Sequence, residues 1–194
     1  VEVLSDRFKK SVVMISNNGG VIAYSEFTDA KSKAEVPLLS INIDEGISGG
    51  MVLSEDRSEA RMCFPLEIGH IIVEKHGPAC KCGNHGCLEA ICSTPALFRS
   101  INERTDLNLA FRDFYMADEN LEAMDQVART FQAGDPAVLT VLEDYVFTLC
   151  SGLISVVNLC GSKYIHIGGT ISSLGPGFTD LIRKTMRERF VPLN

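Results

Sequence analysis

The chain has 194 residues, 45% of them hydrophobic and 22% charged, with a formal net charge of -7. That is enough apolar material to bury a core without covalent staples, and the acidic balance argues against direct contact between this chain and a nucleic-acid backbone, which needs a basic face. A small secreted disulfide scaffold would be shorter and denser in cysteine, so the seven cysteines read as thiols or metal ligands in a reducing, cytoplasmic compartment.

Val1–Leu4 is a short extended run. Phe8, Val12 and Ile15 then recur at helical spacing, which predicts a helix over Arg7–Ser16, stopped by the NNGG of Asn17–Gly20. The chain does not begin with Met and "VEVLSD" reads like an interior strand, so a longer protein is expected. Val36–Asp44 alternates and predicts a strand, Glu45–Gly50 a turn, and Met51–Ser54 a second strand. Ala60–Phe64 and His70–Glu74 read as further strands, so the first half is expected to be a mainly antiparallel β-meander.

The second half reads as helical. Short helical periodicity covers Pro95–Asn102, and a longer stretch, Glu119–Asp135, ends at a glycine. Pro136–Cys160 opens with Asp135 as its N-cap and is apolar on most faces, which predicts a buried central helix. Lys163–Gly169 predicts a strand running into a glycine turn, and Phe178–Arg189 a last helix. The basic run Ile182–Phe190 is a solvated helix face by its i,i+4 charge spacing. No apolar run of about 20 residues is expected to span a membrane, and no signal peptide is visible. The order of elements gives an α/β or α+β fold.

Chemistry concentrates in "CKCGNHGCLE", Cys80–Glu89. Cys80 and Cys82 are too close for an unstrained disulfide, and the C-x-x-C of a thioredoxin-type redox site is absent. Three cysteines at this spacing fit a structural zinc site, which requires a fourth ligand. Either His70, which a ten-residue hairpin brings back over the loop, or His76 can supply it, whereas His85 inside the loop is expected to point outward. Gly83 and Gly86 let the loop fold tightly enough for backbone amides to face the sulfurs. Cys63, Cys92, Cys150 and Cys160 lie among apolar residues and read as core.

Glu67–Ala90, "EIGHIIVEKHGPACKCGNHGCLEA", resembles the signature of the ROK family, which groups sugar kinases with sugar-responsive repressors; both its E-x-G-H and its C-x-C-G-x-x-G-C-x-E elements are intact. "NLCGSKYIHIGG", the strand, turn and helix from Ile165 to Phe190, and, loosely, Val3–Phe8 extend the likeness over most of the chain. The resemblance implies an actin-like, ribonuclease-H-like lobe with an inserted zinc knuckle over 67–90. It implies His70, Cys80, Cys82 and Cys87 as the ligands of a structural Zn2+, and Glu67, His70 and Glu89 as sugar contacts. Zinc on one ring nitrogen of His70 leaves a proton on the other, so His70 becomes a fixed donor beside carboxylate acceptors, a combination suited to a polyol.

The kinase members of the family would use Asp6 as the catalytic base, followed two residues later by a sugar-binding Asn; Phe8 stands at that place. Asp6 then reads equally as a sugar contact or as a helix N-cap. The family's glycine-rich phosphate turn matches Ile43–Gly50, but Asp44 and Glu45 replace small neutral residues there. A carboxylate about 4 Å from a phosphate charge costs roughly 4 kcal/mol at an effective dielectric near 20. Gly168 and Gly169 persist where the family meets adenosine, a place a plain strand-to-helix turn would also occupy. The expected function is therefore the sugar-sensing effector lobe, spanning 1–194, of a NagC/Mlc-like transcriptional regulator, not an enzyme. Its ligand would be a sugar or amino sugar. DNA would be met through an amino-terminal helix-turn-helix not in this chain, and the protein would be a homo-oligomer. The alternatives are the lobe of an ATP-dependent sugar kinase and a zinc-stabilised interaction domain.

Overall fold

A computed structural model of the chain describes residues 18–28, 36–53, 63–110, 117–162 and 164–189. The expectations for Val1–Ser16, Asp6 and Phe8 among them, lie outside the described residues. The elements are α1 (Asn18–Thr28), β1 (Leu38–Ile43), β2 (Ile47–Val52), β3 (Cys63–Leu66), a 3-10 turn (Ile68–His70), α2 (Leu88–Cys92), α3 (Thr94–Arg104), α4 (Ala117–Gln132), α5 (Pro136–Cys160), β4 (Tyr164–Gly168), a second 3-10 turn (Thr170–Leu174) and α6 (Gly175–Arg189).

The four strands form one sheet in the order β3-β2-β1-β4. β1 and β2 pair antiparallel from Leu38↔Val52 to Ile43↔Ile47, and β2 pairs antiparallel with β3. β4 returns parallel to β1, Leu38 opposite Tyr164. The expected meander followed by helices and a returning strand is thus an α/β arrangement in which the last strand makes the sheet mixed. Alternation along β1 divides the core. Leu39, Ile41 and Ile43 join the main cluster with α2 to α6, whereas Leu38 packs with Ala23 and Phe27 of α1.

Two glycine runs lie inside elements. The helix that Asn17–Gly20 is expected to stop lies outside the described residues; α1 begins at Asn18 and carries Gly19 and Gly20 buried in its first turn. A Cβ on Gly19 would lie 1.9 Å from the Gly49 carbonyl oxygen, and one on Gly50 2.1 Å from that of Gly19. The glycines let α1 lie directly on β2. For the same reason Gly49 and Gly50 belong to a strand, and the turn shrinks to Asp44–Gly46. His70–Glu74 is not a strand either. Its backbone is satisfied locally: Val73 and Glu74 N–H both donate to the Gly86 carbonyl, and Ile72 makes a single bridge to Cys87.

α5 has the bounds read from the sequence. Asp135 Oδ1 accepts from the N–H groups of Ala137 and Val138, both at 2.9 Å, and Gly161, at φ +63, closes the helix with its N–H on the Val157 carbonyl. Among the described residues it is the one helix long and apolar enough to cross a membrane, contrary to the sequence expectation that no such run exists, and half of its most apolar window is buried inside the fold. α2 is clamped on it: Leu88 packs over Gly152, and the Tyr145 hydroxyl donates to the Cys92 carbonyl at 2.7 Å.

Candidate functional site

The site is built from three short segments. Glu67 is exposed and precedes the 3-10 turn, in which His70 N–H donates to the Glu67 carbonyl at 3.0 Å. Ile68 is buried under β2, and a Cβ on Gly69 would meet the Ile47 carbonyl oxygen at 2.5 Å, so this turn sits hard against the sheet, with His70 half-buried at its end. Downstream, Cys80 N–H donates to the Asn84 carbonyl and Gly83 N–H to that of Cys80, which closes a tight turn with Gly83 at φ +93. Gly86, at φ +68, lies so close to the Glu74 backbone that a Cβ would fall 1.6 Å from its carbonyl oxygen. The two glycines predicted to tighten the loop do so.

These turns bring His70, Cys80, Cys82 and Cys87 together, with one ligand atom of each within 4.8 Å of all the others. Cys80 Sγ lies 3.6 Å from His70 Nδ1, and the Sγ atoms of Cys82 and Cys87 are 3.7 Å apart. A tetrahedral ion with ordinary zinc bond lengths sets its ligand atoms about 3.5–3.8 Å apart, so both edges fit. The four residues could hold such a metal ion. His76 and His85 are exposed and stand outside the group.

The thiols differ in environment. Burial, reinforced by the neighbouring Cys82 and Cys80 sulfurs, pushes the Cys87 thiol up to about 12. The Asn84 backbone N–H holds the exposed Cys82 thiol below its usual value, with smaller help from Cys80 and Cys87. A cation shared by the cluster would offset the repulsion that three adjacent thiolates otherwise meet.

Glu89 stands in the first turn of α2, two residues past the last cysteine. Its Oε2 accepts from the Ile47 N–H at 3.0 Å and would stand 2.7 Å from a Cβ on Gly46, so one carboxylate oxygen ties the knuckle to the β1–β2 turn. A cavity of about 340 Å³ opens beside it, lined among others by Glu45, Cys80, Lys81, Ser93 and Arg99. Glu67 and His70 do not line this cavity. A larger one, about 480 Å³, lies between β4 and α6 and contains none of the predicted site residues.

Three partnerships were missed in the sequence. Lys81 pairs with Glu45 at 3.1 Å. His166 takes Ser40 Oγ at Nδ1 (3.1 Å) and faces Glu26 across 3.5 Å from Nε2, linking β1, β4 and α1. Asp44 Oδ1 accepts from both the N–H (2.6 Å) and the hydroxyl (2.7 Å) of Thr170, and Oδ2 accepts from the Asn42 amide at 2.5 Å. The Asp44 and Thr170 positions are 126 apart, so no local pattern announces the pair.

The family model described as "ROK family" matches residues 1–191. The glucokinase of Thermotoga maritima is 25% identical over 182 residues, 92% of this chain and 56% of that protein. The xylose repressor of Bacillus subtilis is 24% identical over 177 residues, 91% of this chain and 42% of that protein. The crystal structure of a ROK family transcriptional regulator, a homologue of the Escherichia coli Mlc protein, superposes with a TM-score of 0.70 at 22% identity, over 97% of this chain and 47% of that one. The chain therefore spans about half the length of these proteins, and its likeness reaches sugar kinases and repressors alike.

Proposed function

The chain belongs to the ROK family, and from that premise we propose that it is the sugar-sensing effector lobe of a NagC/Mlc-like transcriptional regulator, residues 1–194 acting as one unit. The observation that carries this reading is the contrast between two turns. The knuckle brings His70, Cys80, Cys82 and Cys87 together, whereas in the β1–β2 turn Asp44 and Glu45 stand at the sequence positions that the family's phosphate turn fills with small neutral residues. In this reading 67–90 is a knuckle around a structural zinc held by His70, Cys80, Cys82 and Cys87. Four protein ligands leave no open position, so the ion supplies rigidity and not Lewis-acid chemistry.

His70 faces Cys80 with Nδ1; with the proposed zinc on that nitrogen, Nε2 carries the proton and is a donor fixed in direction. Glu67 and Glu89 are assigned as acceptors and Asp6 as a fourth polyol contact, on the family resemblance. The effector is a sugar or amino sugar. DNA contact is assigned to a helix-turn-helix outside these 194 residues, in a cytoplasmic homo-oligomer. The kinase alternative, with Asp6 as base, is favoured by one observation: the Gly168–Thr170 turn keeps the glycines that family kinases place near adenosine. Calorimetry of the full-length protein against hexoses and amino sugars, together with an ATP turnover assay, decides between them. Sugar binding without nucleotide turnover is expected; sugar-dependent ATP hydrolysis or phosphoryl transfer would sink the regulator reading. Elemental analysis is expected to give about one zinc per chain.

A further inference from the structure

Asp44 and Glu45 are adjacent in sequence but do different things in the fold. Glu45 points away from the sheet end to Lys81 on the knuckle, and its side chain is half exposed. Asp44 turns the other way, across the end of β1 to the turn between β4 and α6, where it takes the Thr170 N–H and hydroxyl on one carboxylate oxygen. Gly169, at φ +87, brings that turn so close that a Cβ there would stand 2.4 Å from the Ile43 carbonyl oxygen and 2.9 Å from Asp44 Oδ1. The main chain of Asp44 is held as well: its carbonyl accepts from Thr94 N–H at 2.8 Å, and its N–H donates to the Gly46 carbonyl at 2.9 Å. The carboxylate thus has no slack with which to swing aside.

A backbone N–H and a hydroxyl converging at a glycine turn are the donors an external phosphate oxygen would use. Here an internal anion already has both. We infer that Asp44, and not Glu45, is the residue that denies nucleotide phosphates the place where the β1–β2 turn meets the Gly169–Thr170 turn: it is a built-in counter-anion that makes the effector lobe blind to nucleotide while leaving the knuckle free to read sugar. The inference rests on the sensor reading above and adds the identity of the excluding group. It acts by charge and by occupancy together, so removing the side chain has a larger effect than neutralising it.

The test uses the full-length protein and its Asp44→Gly, Asp44→Asn and Glu45→Thr variants, each checked for folding by its thermal transition. Equilibrium binding is measured with Mg-ATP and with inorganic triphosphate. Asp44→Gly is expected to bind both probes at least about tenfold more tightly than the parent, Asp44→Asn to gain less, and Glu45→Thr to match the parent, because a unit charge a few ångströms away outweighs one directed elsewhere. The inference is overturned if folded Asp44→Gly gains nothing, if Glu45→Thr gains as much, or if the gain is confined to ATP, which would make the adenosine and not the anion responsible. Should Asp44→Gly fail to fold, Asp44→Asn decides alone, since its amide oxygen can still accept from Thr170: a gain supports the inference and no gain overturns it. The sensor reading fails by a separate measurement, sugar-dependent ATP turnover by the parent protein.

Discussion

At Gly69 a single methyl group would collide with backbone. The nearest atoms to an added Cβ belong to two residues: Ile47, through its carbonyl oxygen at 2.5 Å and its Cβ at 3.2 Å, and Glu89, through its Cβ at 3.3 Å. Neither can give way without moving the strand or the knuckle helix, so Gly69→Ala is expected to cost about 1–3 kcal/mol, the usual range for overpacking. A urea titration of the variant checks this; an unchanged midpoint would mean that the turn is looser than its geometry. The cysteines divide at the same scale. Burial raises the Cys92 thiol far above its ordinary value, with Cys150 nearby adding to the effect, and burial pushes Cys150 up to about 12. A raised thiol pKa means that almost no thiolate exists at pH 8, and thiolate is the reacting species. Iodoacetamide at pH 8 should therefore leave Cys92 and Cys150 unlabelled in native protein, with or without a chelator, and label them only in denaturant. Cys80, Cys82 and Cys87 should become labelled once a chelator removes the proposed zinc. Peptide mapping by mass spectrometry reads both halves, and labelling of the knuckle at full rate without chelator would count against a bound metal. Cys92 and Cys150, read from the sequence as core, are both fully buried in the main apolar cluster.

Among the elements, α2 has only five residues and cannot be stable by itself. It is held by α5, through Leu88 over Gly152 and through the buried Tyr145 hydroxyl on the Cys92 carbonyl. Tyr145→Phe leaves that carbonyl without its donor in a buried place, so a loss of about 1–3 kcal/mol in chemical denaturation is expected. Loss of much less would mean that water or a shifted helix end replaces the bond. α5 was legible to the residue because its ends are fixed by local chemistry, an Asp-Pro start and a glycine at positive φ. The glycines at 19–20 and 49–50 were not legible, because they are spent on a contact between α1 and β2, about 30 positions apart in the chain. The run His70–Glu74 has the composition of a strand, yet the amides of Val73 and Glu74 go to Gly86, a partner that only the closed knuckle supplies.

Over the whole molecule the β1–β2 turn is the meeting point of both ends of the site. Glu89 holds the Ile47 N–H, Thr94 N–H holds the Asp44 carbonyl, and the Asp44 carboxylate holds Thr170 at the start of the segment leading into α6. The cluster of His70, Cys80, Cys82 and Cys87 could be read from sequence because the four positions proposed as ligands fall within 18 consecutive residues, whereas this chain of contacts joins positions on opposite halves of the protein. A sugar that engages Glu89 must compete with, or reinforce, the bond from Ile47, and either change reaches a turn with few ways to move. Hydrogen exchange on the full-length protein tests this. With a sugar that binds, the amides of Ile47 and Thr170 are expected to change protection together, and in Asp44→Asn the Thr170 response should weaken while the Ile47 response persists. Protection that changes only within 67–90 would show that the knuckle reads its ligand without informing the sheet, and that any signal to a DNA-binding segment leaves by another route.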